Sequence, residues 1–204
     1  METTNLEFND IYDEFHEKLV HYLERMVGKN HAEDLAQEVF MKIDKSLKDF
    51  KGKSSLSTWV YRIATNAALD KIKSRALRES KDKISLNTHL EKAETEGTDI
   101  LVEETSLSAE REAVRNEMNE CIREFVDRLP ENYRTVIILS EIKDLKNQEV
   151  ADILGISLDA AKIRLHRARE QLKAEFEAGC DFYHDEDGKL ACDRKLKKSE
   201  NEQD

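Results

Sequence analysis

Between Leu6 and Val27, the apolar residues Ile11, Phe15, Leu19, Tyr22, Leu23 and Met26 recur at steps close to three and four. That period gathers them on one side of an α-helix, which therefore needs a packing partner. The period returns in "AEDLAQEVFMKIDKSLKDF", where Leu35, Val39, Ile43 and Leu47 form a stripe widened by Ala36 and Phe40. It returns again from Leu56, with Val60, Ile63, Ala64, Ala67 and Ile72. Gly28 and Asn30 punctuate the first junction, and "KGKSS" at 51–55, with Ser54 and Ser55 as cap residues, punctuates the second. Residues 1–78 are expected to form a compact three-helix domain.

Residues 79–108 lose the period. Aromatics are absent there, and Glu and Thr dominate. This stretch reads as a flexible acidic linker, with "DILVEE" as a short docking element inside it; a folded bridge is the alternative. Helical spacing resumes from Ala109 to Arg128, with Val114, Met118, Ile122 and Phe125 along one face, and Pro130 ends that helix. "ENYRTVIILSEI", "NQEVADIL" and "LDAAKIRLHRAREQLKAEF" follow, giving a second helical domain over 109–178 and a charged tail over 179–204. The expected fold class is all-α: two small helical domains joined by a flexible acidic linker, the second containing a helix-turn-helix.

That motif is legible residue by residue. Val150, Ala151 and Leu154 share a face, and Ala151 is small enough for a second helix to approach closely. Gly155 suits a positive φ at the turn, Ile156 plugs between the helices, and Ser157 caps the next one. In that next helix Ala161, Leu165, Ala168 and Leu172 make the core stripe. Asp159, Ala160, Lys162, Ile163, His166 and Arg167 are left for the outer surface. In a helix-turn-helix the second helix enters the major groove. Asp159 is suited to accept from cytosine and Ile163 to meet a thymine methyl, whereas Lys162, Arg164, Arg167 and Arg169 suit phosphates. A protein-facing amphipathic helix is the competing reading.

A second basic zone lies in the first domain. From Ser46 to Arg78 there are eight positive side chains against two negative ones. Positive charge with aromatic and small polar residues suits single-stranded DNA. Trp59 is either a stacking platform or a core residue supporting the 51–55 loop, while Arg62 and Arg75 suit phosphates. On the opposite face of this domain, "EDLAQEVF" exposes Asp34, Gln37 and Glu38 above buried Leu35, Val39 and Phe40. An acidic face of this kind fits a basic protein partner, although acid in a first helical turn also favours the helix dipole.

The totals bear on these patches. The chain has 204 residues, 38% of them charged, and a formal net charge of -11. The whole molecule repels phosphate at long range, yet charges beyond about 10 Å are largely screened at physiological salt, so a local basic patch can dock. Binding to DNA alone should be weak, and a partner must deliver the protein. There is no Gly-rich phosphate loop, paired-histidine metal motif or serine elbow, so neither an enzyme nor a cofactor is expected. The N-terminus lacks the apolar core of a secretory signal and no apolar run is long enough to cross a bilayer, which predicts a cytoplasmic protein without membrane insertion.

"AEDLAQEVFMKI", "FKGKSSLSTWVYRIATNAALDKIKSR", "LPENYRTVIILSEI" and "EVADILGISLDAAKIRLHRARE" resemble, in this order, the bacterial RNA polymerase sigma factors, and the two-domain layout resembles their extracytoplasmic-function group. The likeness covers residues 8–78 and 110–175. It implies a sigma factor that directs core RNA polymerase to promoter DNA and aids promoter melting. Asp34, Leu35, Gln37, Glu38 and Phe40 would form the polymerase-binding set. Lys53, Ser54, Trp59, Arg62, Asn66, Lys73 and Arg75 would capture the minus-ten element, with a flipped base held by the loop before the Trp59 helix. Ser157, Asp159, Ala160, Lys162, Ile163, Arg164, His166 and Arg167 would meet the minus-thirty-five element. The acidic linker would run through the polymerase, and an anti-sigma factor is a further implied partner. Asp159-Ala160 and Ile163 depart from the family's usual residues, so promoter specificity does not carry over. The other functions that fit are a free-standing helix-turn-helix regulator and a polymerase-binding regulator that does not read DNA.

Three cysteines make no disulfide scaffold, and a reducing compartment is the default. Cys121 reads as an inert core residue. The tail "GCDFYHDEDGKLACDRK" reads as a solvated extension with a regulatory role; the alternatives are a zinc site built from Cys180, His184 and Cys192, and a disulfide or redox switch.

Overall fold

The computed structural model describes residues 7–82, 109–184, 188 and 190–195. They form seven α-helices and one β-hairpin: α1 (Phe8–Val27), α2 (Lys29–Ser46), α3 (Leu56–Asp82), α4 (Ala109–Arg128), α5 (Glu131–Ile137), α6 (Asn147–Leu154), α7 (Leu158–Gly179), β1 (Cys180–His184) and β2 (Leu190–Arg194). The linker reading for 83–108 and the end of the tail, 196–204, fall outside the described residues. The chain divides into two compact units, Met1–Glu96 with Ile138–Lys162, and Gly97–Ile137 with Ile163–Asp204.

In the first unit, α1 and α2 pack as a pair and α3 lies across both. The residues picked out by helical spacing are the ones removed from water: Ile11, Phe15, Leu19 and Leu23 on α1, and Leu35, Val39 and Ile43 on α2. α3 offers Ala64, Ala67 and Ala68 to the core, small residues that let helix axes come close. Polar groups are buried with them: the Tyr22 hydroxyl sits 2.8 Å from Thr65 Oγ1, and Thr65 in turn donates to the Tyr61 carbonyl. Ser55 caps α3, its Oγ accepting from the Thr58 amide at 3.0 Å. α6 also packs on α3, and Thr58 Oγ1 donates to Glu149 Oε1 at 3.4 Å.

The chain enters α5 through Pro130, whose carbonyl accepts from the amides of Tyr133 and Arg134. α5 widens into a π-helical turn, Ile138–Ile142, closed by Lys143 N donating to the Ile138 carbonyl. Asp144 then takes a positive φ of 51°, and the chain turns into α6.

In the second unit α7 passes directly into β1, which pairs antiparallel with β2 in the register Cys180–Arg194, Phe182–Cys192 and His184–Leu190. The hairpin corrects the all-α expectation and gives the start of the charged tail regular structure. Gly179 makes the junction possible. A Cβ there would lie 2.4 Å from Phe125 Cζ, so only glycine fits against that buried ring. Phe125, Phe176 and Phe182 follow one another edge to face, and Arg194 forms an ion pair with Glu124 on α4. Among the residues of α4 whose burial is described, Phe125 and Val126 are buried, followed by Leu129 just past its end, whereas Ile122, expected on the core face, is exposed.

Candidate nucleic-acid interface

The α6–α7 segment carries the stronger geometry. α6 stops because Gly155 turns left-handed, at φ 64° and ψ 35°, a conformation that costs side-chain-bearing residues strain. The Ile156 amide donates back to the Ala151 carbonyl at 3.0 Å, closing the turn. Ser157 then caps α7, its Oγ accepting from the Ala160 amide at 3.2 Å. Two helices are thus joined by a three-residue turn with both facing ends hydrogen-bonded.

α7 sorts its residues by side. Ala161, Leu165 and Ala168 are buried. Asp159, Lys162, Ile163, His166 and Arg167 are exposed at spacings of three and one, which makes a single outward stripe; Ala160 and Arg164 flank it half-buried, and Ser157 is exposed at its start. Ile163 is 53% exposed, a large aliphatic side chain set among cations. That arrangement fits groove contact, where an apolar group meets a base methyl while the surrounding cations neutralise phosphate.

The second basic surface runs along 50–78. Lys53, Arg62, Asn66, Lys73 and Arg75 are exposed and Ser54 is half-buried at the loop. Trp59 is half-buried against Phe50, ring centroids 5.0 Å apart. The indole thus braces the loop while staying partly open to solvent. The acidic surface is on α2: Asp34, Gln37 and Glu38 are exposed, while Leu35 and Phe40 are only 2% and 3% exposed. Those two lie in the core directly beneath the acidic face.

Two family models match the chain: Sigma-70 region 2 over residues 11–78 and Sigma-70, region 4 over residues 119–172. The ECF RNA polymerase sigma factor SigW of Bacillus subtilis is 36% identical over 174 residues, covering 82% of this chain and 88% of the relative. The chain belongs to the ECF RNA polymerase sigma factor family. SigZ of the same organism is 31% identical over 194 residues, covering 94% of this chain and 99% of the relative. Among solved structures, CnrH in complex with the cytosolic domain of CnrY aligns at TM-score 0.57 and the sigma factor RpoE in complex with the anti-sigma factor NepR from Bartonella quintana at 0.61, each 20% identical. They cover 84% and 83% of this chain, and 88% and 96% of the respective structures, and support the fold.

As a sigma factor the protein directs RNA polymerase to promoters and is not an enzyme. No helix among the described residues is long and apolar enough to cross a membrane. The tail differs from its zinc reading. His184 lies at the far end of β1 from Cys180, four residues or about 13 Å along a strand, and among the described residues no group of three side chains could hold a metal ion. Cys121 also departs from its reading as an inert core residue. It is half-exposed, and its Sγ lies 3.8 Å from Cys180 Sγ. The sequence signal for the hairpin was the Asp-Gly step in "HDEDGK", between two short runs, which is a turn signature.

Proposed function

We propose that the three sorted surfaces divide promoter recognition between them. The acidic face of α2, through Asp34, Gln37 and Glu38, binds core polymerase. The 50–75 segment, through Lys53, Ser54, Trp59, Arg62, Asn66, Lys73 and Arg75, captures the melted minus-ten element. The α6–turn–α7 unit acts as a helix-turn-helix on the minus-thirty-five element, with Ser157, Asp159, Ala160 and Ile163 toward bases and Lys162, Arg164, His166 and Arg167 toward the backbone. Residues 1–78 and 109–178 serve as the two functional domains, with 79–108 as the tether through the polymerase. An anti-sigma protein masks these surfaces in a cytoplasmic protein, by analogy with the CnrH–CnrY and RpoE–NepR complexes.

The observation that carries this reading is the cationic stripe of α7 around exposed Ile163, opposite the buried Ala161, Leu165 and Ala168. Net charge -11 makes such a stripe ineffective alone, which fits delivery by a larger machine. The test is reconstitution: core polymerase, supercoiled promoter DNA and this protein, read as specific run-off RNA. Specific initiation only when the protein is present supports the reading. Tight binding to a palindrome without polymerase, or suppressed transcription with no open complex, overturns it.

A further inference from the structure

Three cysteines far apart in sequence converge in the second unit. Cys121 on α4 and Cys180 at the start of β1 are 59 residues apart, and their Sγ atoms are 3.8 Å from each other. Cys192 on β2 is a third thiol beside Cys180. Bond formation requires the Sγ atoms to approach to about 2.05 Å, a movement within reach of side-chain rotation. The two elements are already held together: Arg194, paired across the hairpin with Cys180, bonds Glu124 one turn after Cys121, and Phe125 packs on Phe176, which packs on Phe182.

We propose that Cys121 and Cys180 are a thiol modification site, which a peroxide converts to an intramolecular disulfide that fastens the C-terminal hairpin to α4. The chemistry balances. The half-exposed Cys121 thiolate attacks peroxide; an S–O bond forms, the O–O bond breaks, and hydroxide leaves as water, giving a sulfenic acid. Cys180 Sγ then attacks the Cys121 sulfur; an S–S bond forms, the S–O bond breaks, and the oxygen leaves as a second water with the Cys180 proton. Two thiols are oxidised and one peroxide is reduced to two waters. The order follows from the surroundings. Cys180 is 3% exposed, and burial together with the neighbouring thiols pushes it up to about 11, so it stays protonated and acts second. Cys121 is partly open to solvent, so peroxide reaches it before it reaches the buried Cys180.

This site does not depend on the promoter-binding assignments, and its test does not use DNA. The full chain is treated with hydrogen peroxide, alkylated with N-ethylmaleimide, digested and mapped by mass spectrometry. The expected result is a Cys121–Cys180 peptide link, reversed by dithiothreitol, formed equally in Cys192→Ser and absent in Cys180→Ser. The oxidised Cys192→Ser protein should melt about 10 °C above its reduced form, since the bond closes a long loop in the unfolded chain. A Cys180–Cys192 link, a link between two molecules, or three thiols that all remain alkylatable would overturn the proposal.

Discussion

α2 and α7 are built by the same rule and carry opposite charge. On α2 the buried positions are Ala32, Leu35, Ala36, Val39, Phe40 and Ile43, and the exposed positions between them include Asp34, Gln37 and Glu38. On α7 the buried positions are Ala161, Leu165 and Ala168, and the exposed ones are Lys162, Ile163, His166 and Arg167. The inner stripe commits each helix to its place in the fold, where removing apolar surface from water outweighs any surface charge term. The outer stripe contributes little to stability, which leaves it free to specify a partner. Folding and recognition thus occupy interleaved positions of one helix, and changes at adjacent residues should have unlike consequences.

The largest effect is expected from the inner stripe. Leu35→Ala should cost about 2–5 kcal/mol of stability, seen as a shifted urea midpoint with unchanged slope. A loss of polymerase binding without that shift would break the division of labour. At the far end of α7, Gly179→Ala forces a methyl into the Phe125 ring, and overpacking of that kind costs about 1–3 kcal/mol. Calorimetry of the full chain should show the loss.

The outer stripes come next. Reversing Asp34 and Glu38 to Lys should leave the melting curve in place and weaken binding to core polymerase about tenfold, by titration in a pull-down. Arg167→Ala should reduce holoenzyme affinity several-fold at promoters of differing upstream sequence, and lower the salt slope by about 1. A loss confined to one upstream sequence would make Arg167 a base-reading residue instead. The last effect vanishes near neutrality. Burial raises the hydroxyls of Tyr22 and Tyr61, the latter to about 12. Both stay protonated in the fold, so their contribution is complete below about pH 10 and declines as pH rises toward and past 12. Alkaline unfolding followed by circular dichroism should begin in that window and be shallower in Tyr22→Phe.

The helices, their caps and the sign of each exposed face were legible because each is a local property. A period near 3.6 places Leu35 and Val39 together whatever the rest of the chain does, and Ser157 or Gly155 acts on neighbours within four residues. Exposure was legible less completely. Ile122 shares a helical face with Phe125 on α4 but lies in the open, because burial depends on which partner helix arrives and how far along it reaches. Trp59 was undecidable from sequence for the same reason: its contact with Phe50 is set by the course of the 50–55 loop.

What the sequence determined alone is therefore a set of amphipathic helices with acid on one outer face and base on two others, since periodicity and charge need no knowledge of distant contacts. The hairpin and the meeting of Cys121 with Cys180 were decided only by the tertiary structure. Two five-residue strands are marginal by themselves. Among the described residues they are held by Phe125, Phe176 and Glu124, which lie on two helices that sequence order keeps well apart. No local pattern records such a contact, because its free energy arises only when the chain has already closed the loop between them.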